Sequence, residues 1–375
     1  MTQTEIWNKA NKKIFELYGK NPDLRIVNRF LSEKSALEHF GVAGYFEELA
    51  EICRESIEKY NERLIVKNVV ASNFTAYLLG ASSINPLPPH YYCKTCKLIE
   101  WAEENACLFD MESTRKCICG AEMHANGYGL EWELYLPYVK KSNEKKENSS
   151  GNRYHDLFES ILSTHFQKNL LEATQACHLL GQATGVSPEE ICFDDNEVKS
   201  RLLFSNFSCL PPKMAVFLKE TYTVVQPNSY DELLKLISFA HGTYAWKNNA
   251  EELLKNGKCK LAKIPATRDE VFVMIRDAMQ ERGVYDTGFA REVSYKTYHG
   301  YYREYGMDEY TASTLKNLGF GDWFTKYIAN IYYMAPKALA VLELRLFIAL
   351  TYYKTYYPEQ FTAIVGGENI WQKDY

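Results

Sequence analysis

The sequence has 375 residues, with 43 Lys and Arg against 48 Asp and Glu and a formal net charge of −5 with histidine neutral. That balance excludes a globally basic nucleic-acid binder of histone type but leaves room for a local basic face. An apolar share of 46% beside 24% charged residues excludes bulk disorder, and the length suffices for two or three domains.

The first residues, Met1, Thr2, Gln3, Thr4 and Glu5, show no charged segment followed by an apolar one, so no leader is expected. Residues 5–63 read as helices. Ile6, Ala10, Ile14 and Leu17 recur at helical spacing, and 45–60 carries a second amphipathic pattern. The β-branched pairs Ile65, Val66 and Val69, Val70 predict a short strand over 64–70, followed by a helix-like apolar stretch at 74–79. Asn85, Pro86, Leu87, Pro88 and Pro89 must be extended, because three prolines remove donors and block a helix. Leu130, Trp132, Leu134 and Leu136 alternate and predict a half-buried strand within 130–139. Residues 140–151 are polar and charged without apolar anchors and read as an exposed linker.

From 153 onward the pattern is mostly helical. Ser187, Pro188, Glu189 and Glu190 read as a helix start, with a cap, a proline in the first turn and acids on the dipole. The longest apolar stretch, 338–353, is interrupted by Glu343 and Arg345 and reads as a buried helix rather than a membrane span. No membrane partner is expected.

Ten cysteines without a leader argue for reduced thiols and a cytoplasmic protein. Cys93 and Cys96 form one CxxC half of a zinc ribbon or knuckle. Cys117 and Cys119, followed by Gly120, can supply the other half. Two close thiolate pairs at the ends of a loop can converge on one tetrahedral Zn²⁺. The second pair has one intervening residue instead of two, so Cys107, His90 and His124 stand as substitute ligands. The metal expected is structural zinc. A catalytic zinc of the deaminase kind needs a His-x-Glu before the cysteine pair, and no histidine here is followed that way.

From Asn85 through Cys96 the sequence resembles the PolC-type replicative DNA polymerase III α subunit of Gram-positive bacteria, which has the same phrase before a four-cysteine zinc element. Further segments agree in the same order. They are Leu17, Tyr18, Gly19; Phe40 to Ala43; Ala240, His241, Gly242, Thr243 with Trp246, Asn249, Ala250 and Leu253; Thr267, Arg268, Asp269, Glu270; and Tyr333, Met334, Ala335, Pro336, Lys337, Ala338. The resemblance covers most of the chain. It implies an α+β, mostly α-helical fold: a palm-like remnant at 1–91, a zinc-knuckle insertion at 92–125, palm remnant and charged linker at 126–175, and a helical fingers-like domain at 176–375. The family's N-terminal, oligonucleotide-fold, histidinol-phosphatase-like and proofreading modules find no match here, and most of the palm between catalytic motif and fingers is missing.

Family polymerases hold two divalent cations on palm carboxylates in an Asp-Ile-Asp-Leu-Asn-Phe-Ser-Gly motif. Counting back from Asn148, Ser149, Ser150 and Gly151 places that register on Glu144, Lys145, Lys146 and Glu147. The first Asp becomes Glu144 and the second becomes Lys146, whose positive charge opposes a cation, so bound Mg²⁺ is not expected. The family's Gly-Ser-Arg-Gly-Ser-x-Gly-Ser phosphate loop falls on residues 65–72, where no glycine remains and Lys67 holds the place of the arginine. In the fingers, the Pro-Lys-Ala-His phrase ends in Leu339, and an Arg-Lys-Gly-Lys run becomes Lys296, Thr297, Tyr298 and His299.

The reading is a polymerase-derived pseudoenzyme that binds DNA, a nucleotide or a replication protein, regulating or competing with the replicative polymerase, as expected of a phage or mobile-element gene. Lys67, His241, Trp246, Lys247, Lys258, Lys260, Arg268, Lys296 and Lys337 are its candidate nucleic-acid or nucleotide contacts. The basic run Lys255, Lys258, Lys260 and Lys263 equally fits a solvated loop, and the tyrosines 295–305 fit helix packing or a protein partner as well as base stacking. One alternative is a minimal or split polymerase, completed by another chain, in which Glu144, Glu131, Glu133 and Glu147 rebuild a metal site. The other is an assembly module that binds protein alone.

Overall fold

The computed structural model describes residues 3–39, 43–64, 70–135, 168–204 and 207–366. The chain divides into two compact units, one of residues 1–198 with 348–375 and one of residues 199–347.

The first unit opens with three helices, α1 (Gln3–Tyr18), α2 (Leu24–His39) and α3 (Ala43–Tyr60), followed by the short α4 (Phe74–Leu79). Their apolar residues recur on one face as the sequence pattern requires. Ile6, Ala10 and Ile14 of α1 pack with Ile26 and Phe30 of α2, Phe46 and Leu49 of α3, and Phe74 and Leu78 of α4. Helix α4 stops at Gly80, whose left-handed conformation returns its N–H to the carbonyl of Tyr77.

The prolines of the extended segment lack donors, and the segment's carbonyls are met by N–H groups of residues 128–130. Tyr128 donates to the carbonyl of Asn85, Leu130 to Pro86 and Gly129 to Leu87, at 2.9–3.0 Å. This pairing carries the chain past residue 130, and no strand forms at 130–135; residues 136–139 of the predicted strand lie outside the described residues. Leu130, Trp132 and Leu134 are buried. However, the Glu131 carboxylate accepts the N–H groups of Trp132 at 2.7 Å and Glu133 at 2.8 Å, and Glu133–Tyr135 becomes a tight helical turn. Alternation reported burial there, and the local cap overrode the strand. Of the other predicted strand, residues 65–69 lie outside the described residues and Val70 sits in a turn.

The sheet lies instead in the cysteine segment. Strands β1 (His90–Cys93), β2 (Ile99–Trp101), β3 (Thr114–Lys116) and β4 (Glu122–Asn126) are antiparallel in the order β2-β1-β4-β3. Cys93 is opposite Met123, and Lys116 is opposite Glu122. Since β1 and β3 both run against β4, their last residues reach the same end of the sheet.

Helix α5 (Lys168–Thr184) ends before Gly185. The helix start expected at Ser187 is a single turn, in which Glu190 N–H donates to the Ser187 carbonyl at 2.9 Å and the Ser187 hydroxyl donates to Glu189. Glu189 is drawn to Arg63 instead of a helix dipole. The helix that follows is α6 (Asn196–Leu203), capped by Asp195, which accepts from Val198 N–H at 2.9 Å.

The second unit is helical among its described residues: α7 (Pro212–Thr221), α8 (Tyr230–Ala240), α9 (Glu251–Lys255), α10 (Arg268–Gln280), α11 (Gly288–Tyr298), α12 (Tyr301–Tyr305), α13 (Glu309–Asn317), α14 (Asp322–Asn330) and the first half of α15 (Lys337–Tyr356). Leu236, Ile237, Phe239, Val271, Phe272, Ile275, Phe324, Ile328 and Phe347 are buried in its core. Helix α10 starts in a capping box: the Thr267 hydroxyl accepts from Glu270 N–H, and the Glu270 carboxylate accepts from Thr267 N–H. Helix α15 continues past Phe347 into the first unit, where α16 (Pro358–Val365) follows. The apolar stretch 338–353 is indeed a buried helix, and among the described residues no helix is long and apolar enough to cross a membrane.

Candidate metal centre and nucleic-acid interface

The shared end of β1 and β3 assembles the cysteines. Cys93 closes β1, and Cys117 follows β3 directly. After each, the chain turns back tightly. Lys97 N–H donates to the Cys93 carbonyl at 2.9 Å with Lys97 left-handed, and Gly120 N–H donates to the Cys117 carbonyl at 2.9 Å with Gly120 left-handed. These turns bring Cys96 and Cys119 over the strand ends.

The four sulfurs lie within 4.8 Å of one another. Cys93 Sγ is 3.6 Å from Cys119 Sγ, and Cys96 Sγ is 3.5 Å from Cys117 Sγ. A tetrahedron with metal–sulfur bonds of ~2.3 Å has edges of about 3.8 Å, so the cluster fits one four-coordinate ion. Backbone N–H groups of Cys96 and, more weakly, Thr95 face Cys93 and outweigh its burial, holding that thiol down to about 6. A second pair separated by one residue therefore closes the site as well as a CxxC would, since Gly120 supplies the turn.

The substitute ligands are not part of this cluster. His90 is fully buried on the opposite face of β1, with Nδ1 donating to the Pro88 carbonyl at 2.7 Å and its ring 5.1 Å from Trp101. Burial holds its pKa below the usual 6.5, the Pro88 contact acting the other way. His124 stands beside Tyr92 on β4.

The candidate contacts in the second unit are placed less uniformly. Trp246 is 7% exposed and packs between Phe239 at 5.3 Å and Phe217 at 6.0 Å, so its ring is core rather than a stacking platform. His241 ends α8 with Nε2 2.6 Å from Glu343 Oε2 on α15. Lys247, Lys258 and Lys260 are exposed. Lys296 is held at 2.8 Å by Glu292 and lies over the Tyr301 ring at 5.4 Å.

Arg268 and Lys337 come together through their helices. Each is the first residue of its helix, Arg268 N–H donates to the Ala335 carbonyl at 3.2 Å, and Lys337 N–H donates to Asp269 Oδ2 at 2.8 Å. Buried Asp269 thus serves as an internal anion at the start of α15. Two segments that resemble family phrases are joined here by a cap. Both Asp269 and Glu343 were visible in the sequence, but neither was a candidate site residue, because each partner is distant along the chain. Lys67 and the register 144–151 lie outside the described residues.

The chain is similar to curated proteins described as DNA polymerase III PolC-type. It is 21% identical to the protein of Caldanaerobacter subterraneus subsp. tengcongensis, with 94% of this chain and 33% of the relative covered. It is 20% identical to that of Thermotoga maritima, with 95% and 34% covered, and 20% identical to that of Staphylococcus haemolyticus, with 92% and 31% covered. The chain is thus a PolC-like relative that spans about a third of the length of the relatives it matches. The first alignment runs over 475 positions against 375 residues here, so about 100 positions or more of that relative have no counterpart. No protein-family model matches the chain.

Proposed function

We infer that this PolC-like relative has no polymerase activity of its own and keeps the scaffold to hold DNA, a nucleotide or a replication partner, regulating or competing with the replicative enzyme. The observation that carries the reading is Lys146, which occupies the register of the family's second metal-binding aspartate. A lysine ammonium repels the cation that the carboxylate would hold, and a two-metal mechanism cannot proceed through it. The glycine-free register at 65–72 supports the same conclusion.

In this reading residues 1–91 and 126–175 are palm-derived, 92–125 is the zinc knuckle and 176–375 is fingers-derived. The four cysteines hold structural Zn²⁺, which four thiolates in tetrahedral reach favour over harder cations. Lys247, Lys258 and Lys260 are exposed and available to phosphates, and Arg268 and Lys337 each open one of two helices whose starts are joined by hydrogen bonds from their backbone N–H groups. The protein is read as cytoplasmic.

The test is a titration of the full chain with labelled primer–template, single strands and dNTPs, with and without Mg²⁺ and at two salt concentrations, with extension read on a gel. Binding that weakens with salt and yields no extension is expected. Mg²⁺-dependent extension lost on Glu144→Gln would overturn the reading in favour of a split polymerase. Absence of all binding would leave the scaffold to protein contacts.

A further inference from the structure

From 288 to 347 every exposed large hydrophobic residue is a tyrosine. Several of these rings share one surface of the second unit with arginines. Helix α11 ends in a ring cluster, in which Tyr295 and Tyr298 lie 4.5 Å and 4.4 Å from His299. The Arg268 guanidinium sits over Tyr298 at 4.7 Å. Next to this cluster, Gly300 takes a left-handed conformation and approaches Tyr332 so closely that a Cβ would fall 2.8 Å from its carbonyl oxygen. Tyr332 N–H in turn donates to the Thr243 carbonyl at 3.0 Å. One residue further, Tyr244 is left-handed, and the Arg303 guanidinium covers its ring at 3.7 Å while donating to the Asn330 carbonyl at 2.7 Å.

Two features distinguish this surface from ordinary helix packing. Tyr244 is 49% exposed, Tyr295 50% and Tyr332 54%, so about half of each residue faces solvent even where Arg303 or Gly300 covers part of the ring. Their backbones are nevertheless fixed, by a helix end, by the bridge between Thr243 and Tyr333, and by the Gly300 contact. Exposed rings on fixed backbone, with guanidinium groups over Tyr244 and the neighbouring Tyr298, bring aromatic area and positive charge together on a protein whose net charge is negative. Both faces of a nucleobase stack on such planes, and the arginines meet the adjacent phosphates.

We propose that the Tyr244–Tyr295–Tyr332 surface of the second unit, with Arg268 and Arg303, is a stacking platform for unpaired bases of single-stranded nucleic acid. The proposal rests on the nucleic-acid part of the function inferred above and sharpens it, since a duplex buries its base faces and cannot use this surface. Charge complementarity favours this occupant. His299 is held below its usual pKa by burial and by Arg268, in keeping with a locally positive surface.

The experiment measures fluorescence anisotropy of the full chain with labelled oligo(dT) and oligo(U) of about 20 nucleotides, and with a blunt duplex of similar length. Tyr295→Ala and Tyr332→Ala are each expected to weaken single-strand binding about tenfold. Tyr295→Phe and Tyr332→Trp should bind within about twofold of wild type, and duplex binding should be unchanged. Alanine variants that bind single strands as wild type does would overturn the platform while leaving the inferred function intact. A wild-type chain that binds neither single strand nor duplex would overturn the platform and the nucleic-acid part of that function together, leaving the surface to a protein partner. Photocrosslinking of wild type with 4-thiouridine provides a readout independent of variant folding. Crosslinks in residues 243–245, 295–303 or 330–333 support the platform, and crosslinks confined elsewhere overturn it.

Discussion

Glu33 on α2 accepts the backbone N–H of Phe74 at 2.9 Å, so a carboxylate with no exposure begins helix α4 from a distance of 41 residues. The same carboxylate accepts Thr75 N–H at 2.9 Å, the Thr75 hydroxyl at 3.1 Å and Arg29 Nε at 2.6 Å. Arg29 continues the link to the Ser72 carbonyl at 2.8 Å. Nearly every lone pair of this buried charge is used, which is the condition under which such a charge is tolerated.

Replacing it should therefore be costly. Glu33→Ala leaves Arg29 and two backbone donors uncompensated, and a loss of about 3–5 kcal/mol is expected. Amide hydrogen exchange at Phe74 and Thr75 measures this locally and does not require the two units to unfold together. Retained protection at both amides would refute the capping role.

The His241–Glu343 pair predicts a pH dependence in the second unit. Burial by itself lowers the imidazole pKa, but the adjacent carboxylate outweighs it and raises the value above 6.5. A raised folded-state pKa gives stability that is full below about 6.5 and lost as pH rises through the folded value. The stability gap between wild type and His241→Gln, about 1–2 kcal/mol at pH 6, should shrink by pH 9. Urea unfolding at the two pH values checks it, and a gap that widens with pH would contradict the pairing.

Metal content offers a third test. Purified protein should carry one equivalent of colourless divalent metal, released as a mercurial titrates the cysteine cluster. Cys96→Ser or Cys119→Ser should lower retention at least tenfold in a chelator competition. Because the ligands must be thiolates, acid should release the ion. A red, iron-containing preparation would refute zinc as the resident metal.

Two glycines separate conformational strain from steric exclusion. Gly127 and Gly80 both have positive φ, but a Cβ at Gly127 would lie 2.3 Å from the Pro88 carbonyl oxygen, whereas one at Gly80 meets nothing within 4 Å. Gly80→Ala should cost about 1 kcal/mol, for backbone conformation alone. Gly127→Ala should cost more than about 3 kcal/mol, because it also forces the proline segment away from β4. Equal thermal shifts in the two variants would show that the close approach is not stabilising.

The sequence by itself determined the features that depend on residues close along the chain. The helices of the first 60 residues follow from Ile6, Ala10 and Ile14, which repeat within one turn of each other. The cysteine pairs are legible because a metal knuckle is a local turn, and the structure was needed only to leave the substitutes Cys107, His90 and His124 out of the cluster. Burial at Leu130 and Trp132 was legible too, but no strand forms at 130–135, because the Glu131 carboxylate engages the Trp132 and Glu133 N–H groups and 133–135 turns. Only the tertiary structure decided relationships that span the chain. It joined His241 to Glu343 across 102 residues and Lys337 to Asp269 across 68, buried Trp246, and left Tyr295 and Tyr332 exposed. Hydrogen bonds and ring contacts act over a few ångströms of space whatever their separation in sequence, and periodicity carries no record of which distant turn will come to lie within that reach.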